Sequence, residues 1–161
     1  MNQNKLLLDH AISRSFTELK DSVRNAEKNL NESLLQMDVN YRLGTFLHWV
    51  LDYNEWITKN YNNTFNNEEQ HFFSGLRYAN NKLKHAPDII KMYDRTGGFS
   101  FPISFPMRIE EITFRWVKLG YEEESDKYEN QYKNYVKYIE GNNVLKISEE
   151  AIEVLSKYSS R

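Results

Sequence analysis

The sequence predicts a mainly α-helical bundle of four to five helices, with one short antiparallel β-hairpin near residues 99–117, as a single domain over residues 1–161. Three observations carry this. Apolar residues recur at helical spacing through most of the chain. Only six Gly and three Pro punctuate 161 residues, which leaves room for long regular elements. One stretch, beginning at Phe99, switches to a two-residue period.

Helix 1 is expected from Asn4 to Met37. Ile12, Phe16, Leu19, Val23, Ala26, Leu30, Ser33 and Met37 follow alternating steps of four and three, a heptad seam with one polar member. Leu34 sits beside that gap. A helix of about 34 residues spans roughly 50 Å, long for a compact domain, and its seam needs a partner. The partner is either another helix of the same chain or a second copy of it. Asp38 to Asn40 read as a short connection, with Asp38 as N-cap. Helix 2 then covers Val39 to Tyr61, with Leu43, Phe46, Leu47, Val50, Leu51 and Ile57 on one broad face. Trp49 and Trp56 lie on its flank, a spacing that belongs to core or interface.

Asn60 to Asn67 form a polar loop. Helix 3 starts near Asn67, where Glu68 and Glu69 suit the positive end of the helix dipole. Its apolar stripe is Phe72, Phe73, Leu76, Ala79 and Leu83. Pro87 marks a break, because the residue before proline avoids the α region. A short helical turn resumes through Ile89, Ile90 and Met92.

Gly97-Gly98 is a turn. Phe99, Phe101, Ile103 and Phe105 then alternate with Ser100, Pro102, Ser104 and Pro106, the mark of a half-buried strand. Both prolines remove donors on the same side, which makes it an edge strand. Ile112, Phe114 and Trp116 continue the alternation, so the hairpin closes through Met107 to Glu110; a helix over 107–118 is the competing reading. Gly120 to Asp126 is an acidic connection. Helix 4 carries Tyr128, Tyr132, Tyr135, Val136 and Ile139, and Gly141 terminates it. Ser148 caps a last helix. Ile147 and Ile152 are placed as a hydrophobic staple, and Glu149 and Glu150 suit its first turn.

Composition bounds the function. A hydrophobic share of 40% with 14% aromatics supplies a real core and argues against wholesale disorder. The net charge of −2 lacks the electrostatic footprint of a dedicated nucleic-acid binder, although Arg77, Lys82, Lys84 and Lys91 gather into a local basic patch. The chain has no cysteine, so disulfides, thiolate metal sites and thiol catalysis are excluded. The N-terminal apolar run of three residues is too short for a secretory signal, and no segment approaches a membrane span. The expectation is a cytoplasmic protein without membrane partners.

The densest grouping of chemically capable residues is Arg77, Asn81 and His85, at i, i+4 and i+8 on helix 3. An imidazole titrates near neutrality and moves protons, while a guanidinium holds a phosphate and stabilises its transition-state charge. Together they suit metal-independent RNA cleavage. The alternative is that His85 is simply an exposed histidine near a helix C-terminus, where it is favoured anyway. His48, Asp52 and Glu55 share a face of helix 2. With His71 they are candidate metal ligands in principle, but no ligand spacing supports a site, and a solvated polar face accounts for them. Gly97-Gly98 lacks the Lys-Ser/Thr ending of a phosphate loop. No metal and no cofactor are expected.

A helical bundle whose late helix ends in Asn81-x3-His85 resembles the HEPN superfamily of small α-helical proteins. The likeness covers residues 39–92. Many members are RNA-cleaving toxins or defence proteins that act as dimers. Their motif places an Arg four to six residues before the His, usually followed by a polar residue. Asn81 and His85 match the polar residue and the His. The expected Arg position holds Asn80 instead, and Arg77 lies eight positions before His85. Two classes of function follow. One is a non-catalytic interaction protein, a degenerate HEPN-like chain that binds a protein partner or forms a homodimer through the helix 1 seam or its aromatic surface. The other is a HEPN-like ribonuclease of toxin or defence type, acting on RNA through His85 with Asn81 and Arg77. A small-molecule binder is a third.

Overall fold

The computed structural model describes residues 3–61, 65–93, 113–119 and 126–159. Five helices account for most of them: α1 (Gln3–Lys28), α2 (Ser33–Asn60), α3 (Asn67–His85), α4 (Asp126–Tyr138) and α5 (Val144–Ser159). Two strands, β1 (Ile90–Tyr93) and β2 (Thr113–Trp116), form an antiparallel sheet that pairs Ile90 with Trp116 and Tyr93 with Thr113. The mainly helical class with one small antiparallel sheet is therefore observed. No described helix is long and apolar enough to cross a membrane.

The long first helix is corrected. The heptad seam does not run unbroken to Met37, because the chain turns back at residues 29–32. Asn29 and Asn31 sit where the helix would continue, and asparagine competes with the backbone for its hydrogen bonds. The Asn29 amide donates to the Asn25 carbonyl at 2.9 Å, and Glu32 N–H donates to the Asn29 carbonyl at 3.1 Å. Folding back lets α2 cover the seam within one chain. Leu19, Val23, Ala26, Leu43, Phe46 and Val50 are all buried. The hairpin is antiparallel, with Phe16 against Phe46 at 5.6 Å between ring centres and the Tyr53 hydroxyl donating to Asp9 at 2.7 Å. Leu30 and Met37, expected in the seam, are exposed instead. Asp38 is no cap; it lies inside α2 and accepts from Arg42 Nε at 3.4 Å.

Arg42 also reaches across to Glu18 at 2.7 Å, beside the Arg14–Glu18 pair at 3.0 Å. The hydrogen bond from Arg14 lowers the Glu18 pKa, burial opposes this, and the Arg42 charge adds to the lowering. Because the folded value is depressed, this contribution is present in full above the unfolded carboxyl value. It fades as pH falls through the lowered one.

α3 begins and ends where expected. Asn66 caps it by accepting from Glu69 N–H at 2.9 Å, and the Glu69 carboxylate accepts from Asn66 N–H at 3.1 Å, a complete capping box. Phe72, Phe73, Leu76, Ala79 and Leu83 are all buried as the stripe predicted. Gly75 lets α4 approach closely, since a Cβ there would lie 2.9 Å from the Asn134 carbonyl oxygen.

The short helix expected through Ile89, Ile90 and Met92 is replaced by one 3-10 turn, Pro87–Ile89, followed by β1. Pro87 lacks the donor needed to continue an α-helix. From Ile90 the burial alternates instead: Ile90 faces the core and Lys91 faces out. Within β2, Phe114 and Trp116 are buried and Arg115 is exposed, so the strand reading holds for residues 113–116 against the helical one. The expected strand over Phe99 to Phe105, with Pro102 and Pro106, lies outside the described residues, as does the acidic connection at 120–125. Tyr135 and Ile139 of the α4 stripe are buried, while Val136 is exposed.

The last helix starts a turn earlier than expected. Asn143 Oδ1 accepts from Leu145 and Lys146 N–H at 2.8 and 3.1 Å, which is the capping arrangement. Ser148 is buried inside α5 and donates to the Val144 carbonyl at 2.9 Å, so it is not the cap. Gly141, at φ 74°, turns the chain between α4 and α5 and donates to the Trp116 carbonyl at 2.8 Å.

Candidate functional site

The buried stripe of α3 fixes the helix rotation, and this decides where each motif residue points. Asn81 and His85 are exposed, and their side chains make no hydrogen bond or ion pair among the described residues. Arg77 is half-buried. Its Nη2 donates at 2.7 Å to Oδ1 of Asn54, a residue of α2 only 4% exposed. Arg77 is thus committed to the α2–α3 contact. His85 lies two turns further along the helix, roughly 12 Å in axial rise.

Position 80 is the more telling one. The sequence expectation placed a motif Arg there, but the residue is Asn80, which is turned into the bundle and is 6% exposed. Its Oδ1 has no partner among the described residues. A cation at this position would be buried. Introducing one there would carry a desolvation cost of several kcal/mol.

The basic patch is also partly spoken for. Lys82 lies over the Tyr78 ring at 5.3 Å, and Arg77 is bonded to Asn54. Lys84 and Lys91 are exposed. On α2, His48 pairs with Asp52 at 3.4 Å and Glu55 with Lys59 at 3.6 Å. Among the described residues no group of three or more histidine or acidic side chains is placed to hold a metal ion.

Sequence reasoning missed Asn54. Its signal was a polar residue inside the apolar face of helix 2, between Val50 and Ile57. It also missed the second role of Glu69, which besides capping α3 accepts from the Tyr158 hydroxyl at 2.6 Å and pairs with Lys157 at 3.5 Å. That contact ties α3 to α5.

A different feature stands out on the surface. Leu34, Met37 and Tyr41, at i, i+3 and i+7 on the first half of α2, are 75%, 63% and 66% exposed. Leu30 is exposed in the adjoining turn. These residues form an apolar stripe facing water at one end of the α1–α2 hairpin.

Arg77→Ala is expected to lower stability by about 1–3 kcal/mol, because it leaves the buried Asn54 oxygen without its donor. A urea titration reads this directly. An unchanged midpoint would mean that the 2.7 Å bond has no structural weight.

Comparison with protein-family models, with curated proteins and with solved structures finds no match. The class that the geometry defines is a five-helix bundle with a two-stranded antiparallel sheet and an exposed apolar stripe on α2.

Proposed function

We propose that this chain is a small cytoplasmic interaction protein without catalytic activity, a degenerate HEPN-like chain that self-associates as a homodimer through the first half of α2. The exposure of Leu34, Met37 and Tyr41 carries the reading. Three large apolar side chains on successive turns of one helix face leave water when an equivalent surface covers them, and a two-fold pairing of the stripe with itself does this. The geometry of α3 supports the non-catalytic half. Arg77 is bonded to Asn54, and position 80 is buried, so neither supplies a free guanidinium next to His85.

Light scattering at high micromolar concentration is expected to give a dimer mass. Leu34→Asp with Met37→Asp is expected to give a monomer with an unchanged circular dichroism spectrum. A monomer mass for the wild type would remove the self-association. The ribonuclease reading is tested separately, by incubating purified protein with RNA in chelator. Cleavage by the wild type that is lost in His85→Ala would overturn the non-catalytic reading.

A further inference from the structure

α5 leaves part of α1 uncovered, and the two helices, with Tyr53 of α2 at one end bonded to Asp9, bound a groove of about 490 Å³. It lies away from the α2 stripe, and its lining includes neither His85 nor Arg77. Ile12 and Leu155 are buried at its floor, with Phe16 and Ile152 partly buried beside them. Along α1 the lining runs from Asp9 to Lys20, three helical turns and roughly 16 Å. This is an elongated trough with an apolar floor, the shape that receives the apolar face of an amphipathic helix.

The rim decides the charge of the occupant. Asp9, Glu149 and Glu153 are exposed along it, and among the described residues that line it Lys20 is the one cation. Lys20 is drawn over the Phe16 ring at 4.8 Å. Glu149 and Glu153 make no ion pair among the described residues. Three carboxylates facing one lysine repel an acidic ligand and attract a basic one.

We propose that the α1–α5 groove docks a basic amphipathic helix of a protein partner. Its apolar residues lie on Ile12, Phe16, Ile152 and Leu155, and its lysines or arginines pair with Asp9, Glu149 and Glu153. The proposal rests on the reading of the chain as an interaction protein but uses a surface separate from the dimer stripe. It names a partner of opposite charge where the stripe takes a second copy.

The test is fluorescence anisotropy with a labelled Lys/Leu amphipathic peptide about four turns long, with a Glu/Leu peptide of the same pattern as control. The wild type is expected to bind the Lys/Leu peptide saturably and the Glu/Leu peptide not at all. Glu149→Lys with Glu153→Lys is expected to weaken binding on the order of tenfold. Ser13→Trp, which fills the trough from the α1 side, is expected to weaken it independently of charge. Leu34→Asp with Met37→Asp is expected to leave it unchanged. Absence of saturable binding, equal affinity for the Glu/Leu peptide, or unchanged affinity in both groove variants would overturn the proposal. Loss of binding in the stripe variant would also overturn it, by placing the peptide on α2. A monomer in light scattering with peptide binding retained would sink the dimer alone, and RNA cleavage would sink the non-catalytic reading alone.

Discussion

Trp116→Ala is expected to cost about 3–5 kcal/mol of stability, the range for deleting a large buried aromatic. The total stability of a domain this size is about 5–15 kcal/mol, so the variant loses a large share of it. Trp116 is 1% exposed and meets the Tyr135 ring edge-on at 6.4 Å between centres. Its backbone also joins three elements. The N–H donates to the Asn142 carbonyl at 3.0 Å, the carbonyl accepts from Gly141 at 2.8 Å, and the residue pairs with Ile90 of β1. The backbone ties β2 to the turn between α4 and α5, while the indole packs β2 against Tyr135 of α4. Its Nε1 is buried without a partner among the described residues. Trp116→Phe removes that unpaired donor while keeping a ring, and is expected to cost far less than the alanine change. Urea titrations of both variants check this. A loss below about 1 kcal/mol for Trp116→Ala would contradict the packing described.

Gly75→Val is the second large effect. A Cβ at position 75 would meet backbone atoms of α4: the Asn134 oxygen at 2.9 Å, and the Asn134 carbon and Tyr135 nitrogen at 3.0 Å. Backbone inside a helix cannot rotate away as a side chain would, so α3 and α4 must separate. Overpacking of this kind costs about 1–3 kcal/mol and at times more, and valine stands at the upper end. Even Gly75→Ala is expected to destabilise, although alanine favours the helix by roughly 0.5–1 kcal/mol over glycine. Gly44 supplies the control. A Cβ there meets only Leu83 Cδ2 at 3.8 Å, an ordinary contact. Gly44→Ala is therefore expected to stabilise by roughly 0.5–1 kcal/mol. Thermal melts of the two alanine variants should move in opposite directions. Stabilisation by both would show that α4 does not press on Gly75.

Several elements were legible because the signal and the energy are both local. Glu68 and Glu69 at the positive end of the dipole and Pro87 beyond the last turn marked the ends of α3, since both effects act within one turn; the capping box of Asn66 with Glu69 was seen only in the structure. The stripe from Phe72 to Leu83 fixed which face of α3 is buried. The alternation at Phe114 and Trp116 marked β2. His85 near the C-terminal end of α3 is exposed, in line with the reading of a histidine favoured at a helix C-terminus.

Other features depended on groups far apart in sequence. The heptad pattern on α1 is the same whether the helix continues or turns back. What decided for a turn at Asn29 to Glu32 was the burial that α2 gains by lying against α1, which no single window of sequence contains. The partner of β2 proved to be Ile90–Tyr93, where Ile89, Ile90 and Met92 alone suggested a helical turn. Asn143 captured the start of α5 ahead of Ser148, with a bridge to Arg115 holding it in place. The fate of Arg77 was likewise tertiary. Spacing put it on a helix face near Asn81, but its guanidinium bonds the buried Asn54 on another helix, because a polar atom sealed in a core needs a partner.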